Sequence, residues 1–382
     1  MRMLVLGAGL QGSACAYDLL QNPDVTEVRL ADLRVDHLPS FLAPYSGKRL
    51  LPTRLDVRDE RAVRAVMQES DAVMSAIPYY FNFDLARHAA SVGVHFCDLG
   101  GNTEIVFQQK ELDAQARAKN VTIVPDCGLA PGMVNIIAQL GISRLDTVKA
   151  VRIYVGGLPQ HPEPPLNYQI VYSLEGVLDY YTTLSWVVRG GVREQVKALS
   201  EREPVKFASP VGELEAFHTA GGLSTMAWRY EGKIPTMEYK TLRYKGHAQL
   251  MEAIREMGLL DLDPVDVKGE KVVPRDAFIA TVGPKLTKTK GKDLVALRVT
   301  VEGTKNGKPT TLGWELVDMY DEKHDISAMM RTTGYSLSIT GQMQVSGEVQ
   351  PAGVHTPDEC IPAVRYIEEL GKRGVMIKEI PA

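Results

Sequence analysis

Six residues near the N-terminus, Gly7-Ala8-Gly9-Leu10-Gln11-Gly12, have the spacing G-x-G-x-x-G, which suits a backbone that passes close to a phosphate. Gly7 allows the tight turn, Gly9 lets the main chain approach a pyrophosphate, and Gly12 lets a helix close on a strand. The helix opening at Leu10 and Gln11 then offers free N–H groups to the anion. A strand-like run ends at Asp32, about 20 residues past Gly12, the interval at which a carboxylate accepts hydrogen bonds from an adenosine ribose. Asp32 repels a 2′-phosphate and so favours NAD over NADP, whereas Arg34 is placed to pair with that phosphate. Asp56 and Val57 close a third strand-like run, where an adenine edge would lie; Asp56 is equally an ordinary cap before the helix at Asp59.

Three further strand ends carry polar groups: Ser75-Ala76-Ile77-Pro78-Tyr79-Tyr80, Cys97-Asp98-Leu99-Gly100-Gly101-Asn102, and Pro125-Asp126-Cys127-Gly128-Leu129-Ala130-Pro131-Gly132. Ligands in open α/β sheets bind at the carboxyl ends of strands, so Ile77 and Pro78 belong beside a nicotinamide, and Asp98 and Asp126 are candidate site carboxylates. The alternative for both acids is a turn or helix cap.

The elements that must carry these residues are legible as alternating short apolar and longer amphipathic runs, the pattern of β-α-β units. Strands are expected at Arg2 to Leu6, Glu27 to Ala31, Arg49 to Leu55, Ala72 to Ile77, Val94 to Leu99 and Val121 to Pro125. Helices are expected at Leu10 to Gln21, Glu60 to Glu69, Phe83 to Val92 and Ile105 to Lys119. The fold class is α/β: a Rossmann-type doubly wound parallel sheet over residues 1–127, followed by a second α+β domain over 128–330. A helix over Met133 to Leu145 opens that domain, and Thr147 to Val155 and Leu294 to Val301 alternate as half-buried antiparallel strands do. The proline-rich stretch Leu158 to Pro165 reads as a loop. A last helix runs from Pro357 to Lys372, with Thr356 and Glu359 as a capping pair.

The chain has 382 residues, about two domains' worth, and a net charge of −4, so no global field favours nucleic acid or an anionic membrane. No apolar run approaches the roughly 18 residues of a membrane span, and the first residues lack a signal-peptide core, so a cytoplasmic protein is expected. Cys15, Cys97, Cys127 and Cys360 form no C-x-x-C pair, and no metal is expected.

The chain resembles the saccharopine dehydrogenase family, and within it the lysine 6-dehydrogenase branch. The resemblance is carried by Gly7 to Gly12, Ile77 to Tyr80, Asp98 to Gly101, Asp126 to Gly132, Thr241-Leu242-Arg243-Tyr244 with Gly246-His247, and Thr332-Thr333-Gly334. It implies that C-terminal segments, about 331–382, complete the dinucleotide domain and that the inserted domain binds substrate and supplies contacts in a homo-oligomer. Glutamate-forming reductases of the family look like Gly-Leu-Asp-Pro-Gly where this chain has Ala130, which favours the lysine dehydrogenase branch.

The implied reaction oxidises an amino-acid amine, ideally the ε-amine of L-lysine, with hydride passing to NAD and hydrolysis of the imine to a semialdehyde, which cyclises, and ammonia. An ammonium lacks the lone pair that expels hydride, and free lysine titrates near 10.4, so a base is required. Asp98 or Asp126 is the candidate base, Tyr79 orients the amine and His218 relays protons. Arg243 is the first choice to grip the α-carboxylate, with Lys240 second and Tyr244 beside them. The bland readings are a strand-bracing ion pair for Arg243, a satisfied structural histidine for His218 and a wall residue for Tyr79. Two other functions stay open: an NADPH-dependent condensation of aldehyde with amine, as in saccharopine reductases and carboxynorspermidine synthases, and an NAD-binding sensor without turnover.

Overall fold

A computed structural model describes residues 1–287 and 291–381. Seven parallel strands form the first sheet. The first six are β1 (Arg2–Leu6), β2 (Glu27–Asp32), β3 (Leu50–Arg54), β4 (Ala72–Ser75), β5 (His95–Asp98) and β6 (Thr122–Val124), in the doubly wound order β3-β2-β1-β4-β5-β6. Both faces of the sheet are covered at its centre, so β1 and β4 read as continuous apolar runs. Met3 and Val5 of β1 pack with α1 (Leu10–Gln21) and the long helix Ala328–Val345. Leu4 and Leu6 pack on the other side with Val63, Met67 and Leu85. The fold is thus the expected three-layer α/β architecture.

The run Ile105 to Lys119 folds as two helices, Thr103–Lys110 and Asp113–Ala118, rather than one. The break lets Leu112 bury in the core and Asp113 accept the N–H of Val354 at 2.9 Å. The run Pro357 to Lys372 is likewise divided, into Pro357–Cys360 and Ala363–Lys372. Pro362 stands at the break; it has no N–H to continue the ladder.

The segment beyond residue 331 divides between the two domains. Gly353–Val354 pairs in parallel with β6 as the seventh strand, and Arg373 Nε donates to both oxygens of buried Asp18, at 2.7 and 2.9 Å. Lys378–Ile380, in contrast, pairs with the strand Lys308–Met319 of the second sheet. That nine-stranded sheet is mixed: Thr236–Arg243 runs parallel to Thr147–Pro159, and the other pairs are antiparallel. The strand Thr147–Pro159 continues into the stretch read as a loop. Past Val155 it keeps only one partner, Asp293–Lys305, so Pro159 at its end interrupts no ladder on the other side.

Candidate active site

The glycine loop joins β1 to α1. Gly7 has φ +99°, and a Cβ there would stand 2.6 Å from the Ala76 carbonyl oxygen. A Cβ on Gly12 would stand 1.8 Å from the carbonyl oxygen of Gly7. Above Gly9 nothing lies within 4 Å of such an atom, so the loop is open where a pyrophosphate would sit. Gly9 caps α1 without any side-chain bond, which leaves the first-turn N–H groups available, and Leu10 is exposed beside them. Asp32 Oδ2 accepts the Ala8 N–H at 2.7 Å and Oδ1 the Arg34 N–H at 3.0 Å, which fixes the carboxylate at the loop. The Arg34 side chain is on the surface next to it. Gln11 buries both ends of its amide without a hydrogen-bond partner among the described residues. Open space, free N–H groups, an anchored acid and an orphaned amide fit a nicotinamide dinucleotide. Asp56 is not the cap of the following helix, a role that Asp59 takes by accepting the Ala62 N–H at 3.0 Å. Asp56 instead accepts the Arg58 N–H at 3.0 Å and the Arg58 guanidinium at 2.6–3.1 Å, which holds its carboxyl down at about 2. Val57 and Ile77 pack half-buried against the outer core cluster, and Pro78 is exposed at the tip of β4.

The tips of β5 and β6 bring Asp98 and Asp126 together. Asp98 is fully buried and committed: Oδ2 accepts Gln109 Nε2 at 2.7 Å, and Oδ1 accepts the N–H of Gly100 at 2.7 Å and, at 3.4 Å, that of Asp126. Burial pushes its carboxyl up to about 6 against those hydrogen bonds. Asp126 sits in the left-handed region (φ 63°), and its Oδ2 accepts the hydroxyl of Ser224. Its Oδ1 is buried with no partner of good hydrogen-bond geometry among the described residues, although the Gly101 N–H is near enough to favour the charged form. Burial pushes this carboxyl up to about 7, with the Ser224 bond opposing and the charge of Asp98 adding. A Cβ on Gly100 would stand 1.7 Å from Asp126 Oδ1, so only glycine leaves room for the acid. The same construction at Gly101 passes 3.5 Å from the Tyr180 hydroxyl and 3.7 Å from the Tyr79 ring. Tyr79 therefore borders the acid's side of the sheet.

The second domain supplies the other wall. Asn135 Oδ1 accepts the Gly132 N–H at 2.6 Å, and its Nδ2 donates to the carbonyls of Gly222 and Leu223, each at 3.2 Å. That amide clamps the loop after β6 to the loop bearing Ser224. Ser224 is itself left-handed (φ 50°), so two strained residues meet across the domain junction. The helix Leu174–Thr182 links this point to a second one: Tyr180 lies by Gly101, while the hydroxyl of its neighbour Tyr181 accepts Arg243 Nε at 3.2 Å. Arg243 is buried and has no carboxylate partner among the described residues. Its guanidinium lies 5.0 Å from the centre of the Tyr168 ring, and Nη1 donates to the Leu242 carbonyl at 2.8 Å. A small apolar cavity, lined in part by Tyr168, Tyr181 and His247, adjoins it.

Strand alternation separates the remaining candidates from Arg243. Lys240 lies on the opposite face of its strand, where its ammonium pairs with Glu203 at 2.7 Å and donates to the Glu201 carbonyl at 2.9 Å. Tyr244, just beyond the strand, donates to the Pro159 carbonyl at 2.9 Å within the core cluster of that far face. His218 stands opposite Lys240 on the same face, its ring nitrogens 3.3 Å from the Tyr239 carbonyl and 3.2 Å from Glu201. Burial and the charge of Lys240 hold it neutral, below its ordinary value. The structure therefore gathers Asp98, Asp126, Tyr79 and the glycine loop at one edge and Arg243 near it. It sends Lys240 and His218 into an ionic network on the other face of the strand, and Tyr244 onto the apolar cluster there. Within that network Glu201, His218 and Glu238 have ligand atoms within 4.8 Å of one another, but Arg189 and Arg152 already pair with the two carboxylates. Ser224, Tyr180 and Asn135 were not legible in the sequence; the glycine pair Gly221-Gly222 was the sole local sign of a special loop there.

Fold and site define a two-domain, Rossmann-type nicotinamide-dinucleotide protein whose cofactor edge is closed by a second sheet domain. The chain belongs to the saccharopine dehydrogenase family: residues 3–124 match the saccharopine dehydrogenase NADP binding domain and residues 128–375 the saccharopine dehydrogenase C-terminal domain. It is 25% identical over 305 residues to the NADP(+), L-glutamate-forming saccharopine dehydrogenase of Saccharomyces cerevisiae, covering 77% of this chain and 66% of that one. It is 24% identical over 272 residues to the mitochondrial alpha-aminoadipic semialdehyde synthase of Mus musculus, of which it spans 28%. Among solved structures, apo saccharopine dehydrogenase from Saccharomyces cerevisiae superposes with a TM-score of 0.80 at 21% identity over 100% of both chains. The NAD complex of homospermidine synthase from Legionella pneumophila superposes at 0.70 and 10% identity, over 100% of this chain and 91% of that one. These two likenesses show the shared fold.

Proposed function

We propose that this protein oxidises an amino-acid amine, the ε-amine of L-lysine or a close relative, with NAD as acceptor. The observation that carries the reading is Asp126: a buried carboxyl at the tip of β6, brought to about 7, whose Oδ1 has no partner of good hydrogen-bond geometry among the described residues, the Gly101 N–H approaching it only loosely. A base that titrates near neutrality matches the need to strip an ammonium before its carbon gives up hydride. Arg243, a buried cation without a carboxylate of its own, is the group for the substrate α-carboxylate. Tyr180 and Tyr181, adjacent on one helix, stand one by Gly101 and the other against Arg243, and Tyr79 borders Gly101 as well. When bound, the nicotinamide accepts the hydride; the glycine loop, the N-terminus of α1 and Asp32 hold the dinucleotide. Asp32 favours NAD, although the family's domain and the yeast relative are named for NADP.

The relatives' names support a second reading, NADP-dependent making or breaking of a secondary amine such as saccharopine. One assay separates the two: reduced cofactor formed at alkaline pH from L-lysine, ornithine, diamines, saccharopine and common amino acids, with NAD and NADP in parallel. Turnover of lysine with NAD supports the first reading, and turnover of saccharopine with NADP establishes the second. Cofactor binding with no turnover leaves the sensor function. For Arg243→Ala we expect KM for the amino acid to rise at least tenfold, with cofactor affinity kept. An unchanged KM removes Arg243 from the carboxylate site.

A further inference from the structure

The first turn of α1 carries a polar side chain that the described residues leave unanswered. Both Oε1 and Nε2 of Gln11 are shut off from solvent, and neither has a hydrogen-bond partner among the described residues. A buried amide in that state is destabilising and calls for a ligand or another compensation. Helical spacing puts Gln11 on one face with Ala14 and Cys15, and the long helix Ala328–Val345 closes on that face at Gly334. A Cβ on Gly334 would stand 2.7 Å from the Gln11 carbonyl oxygen and from the Ala14 Cβ. The same helix crosses β4 and β5. Its Leu337 carbonyl accepts Cys97 Sγ at 3.8 Å, and a Cβ on Gly341 would stand 2.4 Å from Met74 Sδ. The Gln11 face of α1 is therefore the one turned to the β4–β5 side of the glycine loop.

Asp32 marks the other side of that loop, at the end of β2. With a pyrophosphate on the N-terminus of α1 and the adenosine ribose at Asp32, the second half of a dinucleotide extends over the tips of β4 and β5. That course runs past Gln11. We propose that the Gln11 amide pairs with the carboxamide of the nicotinamide and so sets the ring's orientation toward Asp126. The inference rests on the dinucleotide reading of the site and deepens it: a primary amide offers one donor and one acceptor in the arrangement that another primary amide matches.

The test compares binding of the preferred dinucleotide with binding of the matching nicotinamide-free ligand, ADP-ribose or its 2′-phosphate, by calorimetry. Wild type, Gln11→Met and Gln11→Leu are used, with apo thermal unfolding of each. Both variants are expected to bind dinucleotide about tenfold more weakly, to keep their affinity for ADP-ribose, and to melt at or above the wild-type temperature. Unchanged dinucleotide affinity, an equal loss for both ligands, or a lowered apo midpoint in both variants overturns the proposal. Each of those results means that the amide serves the fold or a water. A wild-type protein that binds neither ligand instead overturns the cofactor reading itself, so the two failures are distinct.

Discussion

At the scale of single residues, the site rests on two acids that the sequence presents alike and the fold treats differently. Asp98 gives its oxygens to Gln109, Gly100 and Asp126, whereas Asp126 keeps one oxygen without a partner of good hydrogen-bond geometry among the described residues. Asp126→Asn should lower kcat by about 10²–10⁴, the usual worth of a general base, and abolish the acidic limb near pH 7 in kcat/KM. Retained activity with the limb intact would move the base elsewhere. Ser224 donates to Asp126 and so holds its carboxyl below the value that burial alone would give. Ser224→Ala should therefore carry the limb to higher pH, with Ser224→Thr restoring it; a limb that stays put would leave Ser224 without influence on the acid. The candidate acids were legible because each follows a strand in a doubly wound pattern. Ser224 was not, since its partner lies 98 residues away and no short-range rule links the two.

Among the elements, the contact of α1 with the long helix decides how the cofactor loop is held. Gly334→Ala would bring a Cβ to within 2.7 Å of the Gln11 carbonyl and of the Ala14 Cβ and within 3.0 Å of the Cys15 nitrogen. Backbone cannot yield there as a flexible side chain would. The overpacking, on the order of 1–3 kcal/mol, outweighs the helix preference of about 1 kcal/mol that alanine brings. A lower melting temperature together with weaker dinucleotide binding is expected; a variant as stable as wild type would show that the helices can part without cost. Alternation within the strand Thr236–Arg243 is equally decisive for the substrate side. It puts Arg243 on one face and Lys240 on the other, so two basic residues three apart in sequence serve different neighbourhoods. That separation follows from counting along a strand, and it was missed because the strand's boundaries could not be placed without its partners.

At the scale of the whole molecule, burial of acids makes stability depend on pH in an unusual direction. Asp98 and Asp318 are pushed up to about 6 and Asp126 to about 7, against roughly 3.9 in an unfolded chain. Between about pH 4 and pH 7 the folded state then binds more protons than the unfolded one, so these groups' stabilisation, complete below about pH 4, is lost as pH rises through 6 and 7. His88, His95, His218 and His247, held below their ordinary value by burial, contribute in the opposite sense over the same range, so the acid's share is read from a difference. By urea unfolding of the apo proteins, Asp126→Asn should lose less stability than wild type between pH 5 and pH 8. A slope unchanged in the variant would mean that Asp126 titrates near its ordinary value. The long-range tie between Arg373 and buried Asp18 belongs to the same scale, since it fastens the C-terminal helix onto the first domain.

The sequence by itself determined the doubly wound domain, the glycine loop with its acid at Asp32, and the two carboxylates at the strand ends. Each is written in short-range spacing: alternation of apolar runs, a motif of six residues, and an acid just past a strand. Only the tertiary structure decided that Asp126 is the unsatisfied acid and Asp98 the braced one. It also decided that Arg243 is a buried cation with no carboxylate partner among the described residues, while Lys240 pairs with Glu203 and a neutral His218 hydrogen-bonds Glu201, and that the end of the chain returns to both sheets. Those outcomes depend on which distant partners burial brings within hydrogen-bond reach, and the energy of a buried charge is set by those partners rather than by its neighbours in sequence.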